Sequence, residues 1–183
     1  TSNVHKGPDV IQLSKEIVFS IYLRFMNTTI RKGVREDLPD VLRLIKELAE
    51  YENAIDCVTI TLSDLEKDGF GEHPWYWFLV AENNNKIIGL SFYFIRYSTW
   101  SGKFLFLEDF IISKDYRQKG IGSLLFEETI QICKKENLNG MTWQVLDWNT
   151  PAIQFYEKYN ANISSEWLNG KLTKSQIDQI TSS

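Results

Sequence analysis

The chain has 183 residues, of which 43% are hydrophobic and 24% charged, and its net charge is −4. The length predicts one domain with a sizeable core. The excess of acidic residues argues against nucleic acid as a partner. The longest apolar stretch is too short to span a membrane. Because there are only two histidines and two distant cysteines, we expect no metal site, no disulfide scaffold and no histidine-centred catalysis, in a reducing, cytoplasmic compartment.

The first 25 residues differ from the rest of the chain. Val10–Phe25 is apolar and β-branched, but two charged residues interrupt it and no small-residue cleavage site follows, which argues against a signal peptide. Met26-Asn27-Thr28-Thr29 looks like a second start, that of the main domain. We therefore predict an N-terminal extension of unknown role over residues 1–25 and a single domain over residues 26–183.

The pattern from Thr29 onward predicts alternating element types. A short strand precedes a helix that begins at Asp37, because the proline two residues later favours a first turn. Apolar residues then recur at helical spacing up to Ala49, and a second short helix runs from Thr61 to Gly69. The remaining predicted elements are strands at 77–81 and 87–94 around a turn at 83–86, a long strand at 104–112, a helix at 122–135, a strand at 140–145, a helix at 151–159, a hairpin at 163–173 and a weakly helical tail. Hairpins followed by strand–helix–strand–helix predict a mostly antiparallel mixed sheet of the α+β class, flanked by helices.

The most informative stretch connects the long strand to the helix after it, and it contains Arg117-x-x-Gly120-x-Gly122. Glycines permit unusual backbone dihedrals and a close backbone approach, and the amides of a helix N-terminus point at an anion. The spacing alone leaves two interpretations open, a cradle for a pyrophosphate and an ordinary strand-to-helix turn.

The block Arg117–Gly122 after an apolar strand resembles the acetyl-CoA-binding signature of the GNAT acetyltransferases. Several stretches are similar to the spermidine/spermine (diamine) and thialysine branch of that family: Leu42–Glu52, Asp68–Pro74, Leu107–Phe110, Asn149–Ala152 and Phe155-Tyr156. The resemblance runs from about Ile30 to Trp167.

The resemblance implies a sheet that splays near the long strand, with acetyl-CoA in the gap, and a homodimer. The residues that it assigns to the cofactor are Phe110, Ile111, Ile112, Gln118, Lys119, Gly120, Ile121, Gly122, Ser123, Asn149, Thr150, Pro151, Ala152 and Tyr156. The chain departs from the branch in a short loop between Ala81 and Ile87, in Asp147 where the branch has a glutamate, and in a shortened C-terminal hairpin. The last two departures bear on the length of the amine.

Acetyl transfer requires a neutral amine, and an alkyl ammonium titrates at about 10.4, so that a proton must leave before attack. Glu108 is the predicted base, because it lies in an apolar strand beside the cofactor loop, where burial would raise its pKa. The alternative is that Glu108 and Asp109 point out of the sheet or pair with Arg117. Since adjacent strand residues point to opposite faces, we expect at most one of the two to face the amine.

Tyr156 lies one helical turn beyond Ala152, from where its phenol can protonate the departing thiolate. The alternative is that Tyr156 is a core or rim aromatic.

Acidic and aromatic residues predict an amine site through charge and cation–π attraction. The alternative for Glu52 is a solvated helix end. The residues assigned to the substrate are Tyr51, Glu52, Glu108, Asp109, Thr142, Trp143, Gln144, Asp147, Trp148 and Glu166.

The sequence therefore predicts an acetyl-CoA-dependent N-acetyltransferase that acts on the primary amine of a small polyamine, diamine or lysine-like substrate. We expect direct attack on the thioester, because no suitably placed cysteine or serine nucleophile is visible. Two other interpretations stay open: acetylation of protein lysines or N-termini, and a non-catalytic acyl-CoA-binding module. The aromatic content of 14%, with the run Trp75-Tyr76-Trp77, supports the homodimer.

Overall fold

The computed structural model describes residues 28–181, so the extension predicted for residues 1–25 lies outside the described part. The described residues form two compact units, one up to Gln144 and one from Val145 onward. The first unit contains β1 (Thr28–Lys32), α1 (Leu38–Tyr51), α2 (Leu62–Phe70), β2 (Trp77–Asn83), β3 (Lys86–Ser98), β4 (Gly102–Ile112), α3 (Ile121–Lys135) and β5 (Gly140–Trp143). The second unit contains α4 (Thr150–Glu157) and α5 (Lys174–Thr181).

The five strands form one sheet in the order β1-β2-β3-β4-β5. The first three pairings are antiparallel, and β5 is parallel to β4, as expected when a helix such as α3 provides the crossover. The turn between β2 and β3 lies where it was predicted, and Asn84 and Asn85 have φ values of 49° and 60°, which a two-residue hairpin turn favours. The mixed, mostly antiparallel α+β sheet is confirmed.

Helices cover both faces of this sheet. Helix α1 begins after Asp37 as predicted, and it buries Val41 and Leu44 in the same cluster as Leu90 and Ile111 of the sheet. On the other face, Ser91 of β3 hydrogen-bonds Thr129 of α3 over 2.8 Å, and the ring of Phe110 meets that of Phe126 edge-on at 5.6 Å. Side chains of β4 therefore alternate between the α1 side and the α3 side of the sheet.

An ion pair links β1, β2 and the start of α1. The guanidinium of Arg31 donates two hydrogen bonds to the carboxylate of Asp37, at 2.7 and 2.8 Å, and a third to Glu82 at 2.6 Å. Burial favours the neutral form of Asp37, but the hydrogen bonds from Arg31 and from the Val34 amide outweigh it and lower the pKa of this carboxyl. At pH values above the range in which an ordinary carboxyl titrates, the ionised Asp37 therefore stabilises the folded state. This stabilisation is lost as pH falls through the lowered pKa of Asp37.

The hairpin predicted at residues 163–173 is wrong, because residues 161–173 contain no strand. The side chains of Trp167 and Leu168 are 80% and 97% exposed, so the segment buries too little apolar surface to stabilise a hairpin, which on its own is marginal in water. The predicted strand at 140–145 also ends earlier, at Trp143. Among residues 28–181, no helix is long and apolar enough to cross a bilayer.

Candidate active site

Within residues 28–181, no strand pairs with one edge of the C-terminal part of β4. β5 pairs with β4 only from Phe104 to Leu107, whereas β4 continues to Ile112 along β3. The Ser113 amide donates to the carbonyl of Ile88, and bonds in an antiparallel ladder alternate in direction. The backbone polar groups of Ile111 therefore face β3, and those of Phe110 and Ile112 face the open edge. This edge is the splay that the sequence predicted.

Glu108 lies at an irregularity of this strand. Asp109 is opposite Phe92 and Leu107 is opposite Tyr93, so Glu108 has no residue opposite it and forms a β-bulge. A bulge interrupts the regular alternation of side chains along a strand. The expectation that Glu108 and Asp109 point to opposite faces rests on that alternation, and it does not hold at this position.

Three carboxyl groups come together beside the bulge. Burial raises the pKa of Asp109 to about 6, and the nearby charges of Glu108 and Glu52 raise it further in the same direction. Burial also raises the pKa of Glu52, which follows the last turn of α1. Glu108 itself is exposed, so the prediction that this side chain is buried is wrong. We refer to Glu52, Glu108 and Asp109 as the acidic cluster. Glu52 and Asp109 are its half-buried members.

Arg117 connects the loop after β4 to the end of α1. Its guanidinium lies 5.0 Å from the ring centroid of Tyr51, a cation–π geometry, and its Nε donates to the carbonyl of Ile112 at 2.8 Å. Within residues 28–181, no ion pair joins Arg117 to Glu108 or Asp109. The alternative that these carboxylates are structural partners of Arg117 is therefore contradicted.

The loop from Gln118 to Gly120 leads directly into α3. Gln118 and Gly120 have φ values of 59° and 79°, and no atom lies within 4 Å of the position that a Cβ would take at Gly120. The first amides of α3, from Ile121 to Ser123, have no partner inside the helix and carry its partial positive charge. This open, left-handed turn at the start of a 15-residue helix fits a pyrophosphate.

The β5 residues assigned to the substrate occupy different environments. The Thr142 hydroxyl oxygen is inaccessible and has no hydrogen-bond partner within the described residues. The ring of Trp143 packs edge-on against Phe126 of α3 at 5.8 Å, which makes Trp143 part of the packing on that face. Gln144 is exposed.

The other predicted site residues belong to the second unit. The Asn149 side chain accepts a hydrogen bond from the Ala152 amide at 3.3 Å and so caps α4. Tyr156 is 6% exposed and its ring meets that of Phe155 edge-on at 5.4 Å. The predicted site residues of this unit that lie at the surface are Asp147, Trp148, Thr150, Pro151 and Glu166.

Sequence reasoning expected Glu108 to be buried, whereas the structure leaves Glu108 exposed and half-buries Asp109. The feature that distinguishes Glu108 from Asp109 is the β-bulge, and no residue type in this stretch predicts it. Among the described residues, no group of three or more histidine, cysteine, aspartate or glutamate side chains is arranged to hold a metal ion.

The end of β4 thus brings together the open strand edge, the start of α3 and the acidic cluster. Residues 39–161 match the acetyltransferase (GNAT) family. The chain belongs to this family and is an N-acetyltransferase; members of the family use acetyl-CoA to acetylate amines.

Individual relatives agree with this membership. The chain is 37% identical over 145 residues to the thialysine N-epsilon-acetyltransferase of Bos taurus, which covers 75% of this chain and 85% of that protein. It is 38% identical over 145 residues to the spermidine/spermine N(1)-acetyltransferase-like protein 1 of Homo sapiens, covering 75% of this chain and about a fifth (21%) of that relative's length. An aminoglycoside acetyltransferase structure from a soil metagenome superposes with a TM-score of 0.68 at 18% identity, covering 80% of this chain and 96% of that one, which supports the fold alone.

Gly120→Ala tests the loop. A side chain has room at this position, so the effect comes from the left-handed backbone, which costs a residue other than glycine roughly 1–2 kcal/mol. If binding requires this turn, acetyl-CoA affinity should fall about tenfold in isothermal titration calorimetry. Gly170→Ala is the matched control, because a Cβ there also meets nothing within 4 Å and Gly170 lies far from the loop in sequence. Equal affinity of the two variants would contradict the assignment of the loop.

Proposed function

We propose that this enzyme transfers the acetyl group of acetyl-CoA to the primary amine of a small polyamine, diamine or lysine-like substrate. The observation that carries this proposal is the acidic cluster, in which Glu52, Glu108 and Asp109 interact beside the cofactor loop. Carboxylates at that position attract an amine that is a cation in water. The names of the relatives, a spermidine/spermine-type and several thialysine acetyltransferases, point to the same substrate class.

Acetyl-CoA supplies an activated acetyl thioester when it is bound. We assign its pyrophosphate to the loop and first amides of α3, the residues Gln118, Lys119, Gly120, Ile121, Gly122 and Ser123. Phe110 and Ile112 of β4 are assigned to the pantetheine arm, because their backbone polar groups face the open edge. Asn149–Ala152, the capped start of α4, keeps the cofactor role that the family resemblance implies.

The amine must lose a proton before its nitrogen can attack. We assign this proton to Asp109, with its neighbour Glu108 contributing negative charge beside it. Asp109 has the pKa of about 6, so it is mostly ionised at neutral pH and is a stronger base than an ordinary aspartate. Glu52 and the ring of Tyr51 hold the cationic end of the substrate in this proposal.

Tyr156 is assigned as the proton donor to the departing sulfur. Its support is the family resemblance and the burial of this phenol on α4, where a hydroxyl near pKa 10 can give up a proton to a thiolate. The two cysteines of the chain lie elsewhere, Cys57 exposed in a short 3₁₀ turn and Cys133 buried in α3. We therefore propose direct attack of the amine without an acetyl-enzyme.

We also propose a cytoplasmic homodimer. The support for the dimer is the exposure of large aromatic side chains in the first unit, where Trp75 is 76% and Tyr97 73% exposed, since extended apolar surface marks interaction sites. The support for the compartment is that both cysteines are free thiols.

A panel of amines assayed with acetyl-CoA for release of free thiol tests the substrate class. We expect turnover with spermidine, putrescine, lysine or thialysine, because a small cation fits an acidic site. A lysine-containing peptide is the comparison substrate. Turnover with the peptide alone would contradict the proposal in favour of a protein acetyltransferase, and no turnover with any amine would favour a non-catalytic module.

Asp109→Asn should affect activity and stability in opposite directions. Removing the base should lower kcat/KM roughly 10²-fold or more. Because the folded-state pKa of Asp109 lies above its ordinary value of 3.8, the ionised carboxyl destabilises the fold at neutral pH. That cost decreases as pH falls below about 6 and is lost only below the ordinary value. The variant should therefore have a higher Tm than the parent at pH 7, and the difference should narrow as pH is lowered toward 4.

Glu108→Gln is the matched control for Asp109→Asn. The charge of Glu108 raises the pKa of Asp109, so its removal should shift the acidic limb of the pH profile of kcat/KM to lower pH. Unchanged rates in folded Asp109→Asn would remove this residue from the mechanism.

Tyr156→Phe removes one hydroxyl and keeps the ring. If the phenol protonates the departing sulfur, kcat should fall by about 10²–10⁴-fold while the KM for acetyl-CoA and the Tm stay near those of the parent. Tyr159→Phe, a half-buried tyrosine just after the same helix, should keep the parent rate. Equal rates of the two variants would show that Tyr156 is only a packing residue.

A further inference from the structure

The ring of Tyr116 has two ammonium groups beside it. Nζ of Lys119, from the cofactor loop, is 5.5 Å from the ring centroid, and Nζ of Lys86, the first residue of β3, is 5.9 Å from it. Cation–π attraction favours each lysine separately. Two like charges drawn to one ring also repel each other, so this pair is stabilised further when an anion binds to both.

The backbone that carries Lys86 is held in place. Lys86 pairs with Asn83 across the β2–β3 turn, and Asn83 is 2% exposed, with its side-chain amide donating to the Thr28 hydroxyl at 2.8 Å. The turn between them is only two residues long and has positive φ at both.

These lysines belong to a local concentration of positive charge. The net charge of the chain is −4, yet the segment 114–119 contains Lys114, Arg117 and Lys119 against a single carboxylate, Asp115. Arg117 is directed to Tyr51 and to the carbonyl of Ile112. Lys86 and Lys119 are both exposed, and Nζ of Lys119 also donates a hydrogen bond to the carbonyl of Asp115. The carboxylate of Glu47 accepts hydrogen bonds from the Ser113 hydroxyl and the Lys114 amide. The segment itself is nevertheless more basic than the net charge of the chain, which favours a phosphate there.

We propose that Lys86 and Lys119 bind the 3′-phosphate on the ribose of acetyl-CoA. This inference rests on the proposed function, in which the pyrophosphate occupies the loop amides and the start of α3. Coenzyme A carries one further phosphate beyond that group, a dianionic monoester on its adenosine. Lysine binds phosphate as a compact point charge, and the two ammonium groups around Tyr116 come from different elements, so together they distinguish the 3′-phosphorylated cofactor from the dephosphorylated one.

Calorimetric titration with acetyl-CoA and with 3′-dephospho-acetyl-CoA tests this proposal. Lys86→Gln should weaken acetyl-CoA binding by roughly two- to fivefold, the range of an exposed ion pair, and leave the dephosphorylated cofactor unaffected. Lys86→Glu should increase the loss to about tenfold, and added salt should reduce the difference between the two cofactors. Lys103→Gln, which changes an exposed lysine at the start of β4, should bind both cofactors as the parent does.

The remaining outcomes overturn the proposal in distinguishable ways. Equal weakening for both cofactors would place Lys86 at the pyrophosphate, and no weakening for either would remove Lys86 from the site. In both cases the proposed acetyltransferase function stands. Failure of the parent chain to bind either cofactor would overturn the proposed function, and this inference with it.

Discussion

The rest of the site depends on one constraint, which is that β4 is paired with β3 along nearly its whole length but with β5 only as far as Leu107. Backbone polar groups without a partner are costly once they are removed from water. The edge at Phe110 and Ile112 therefore requires donors and acceptors from elsewhere. Arg117 provides one donor, at the Ile112 carbonyl. The proposed function assigns this edge to the pantetheine arm of acetyl-CoA.

The acidic cluster opposes folding and favours binding. Burial raises the pKa values of Asp109 and Glu52, and the charges of Glu108 and Glu52 raise that of Asp109 further. In the proposed function, a cationic amine reduces the repulsion among these carboxylates, and Asp109 accepts its proton.

Opposite charges are kept apart at the two ends of the site. The positive side consists of the loop after β4 with Lys86 and Lys119, and the negative side consists of Asp109 and its neighbours at the end of α1. Arg117 lies between them, stacked on Tyr51 without an ion pair to Glu108 or Asp109. If Arg117 neutralised Asp109, the pKa of that carboxyl would fall and the acid would be a weaker base. The stacking contact avoids this.

The sequence alone determined the order and type of the elements in the sheet, the start of α1 after Asp37, the two-asparagine turn and the glycine loop before α3. These features follow from residues within a few positions of one another. Only the tertiary structure decided that Glu108 lies at a bulge, that Asp109 is more buried than Glu108 and that Lys86 shares the ring of Tyr116 with Lys119. It also decided that residues 161–173 form no hairpin. Burial, charge repulsion and strand register depend on segments far apart in the chain, such as Glu52 and Asp109, and no local pattern records which of them meet.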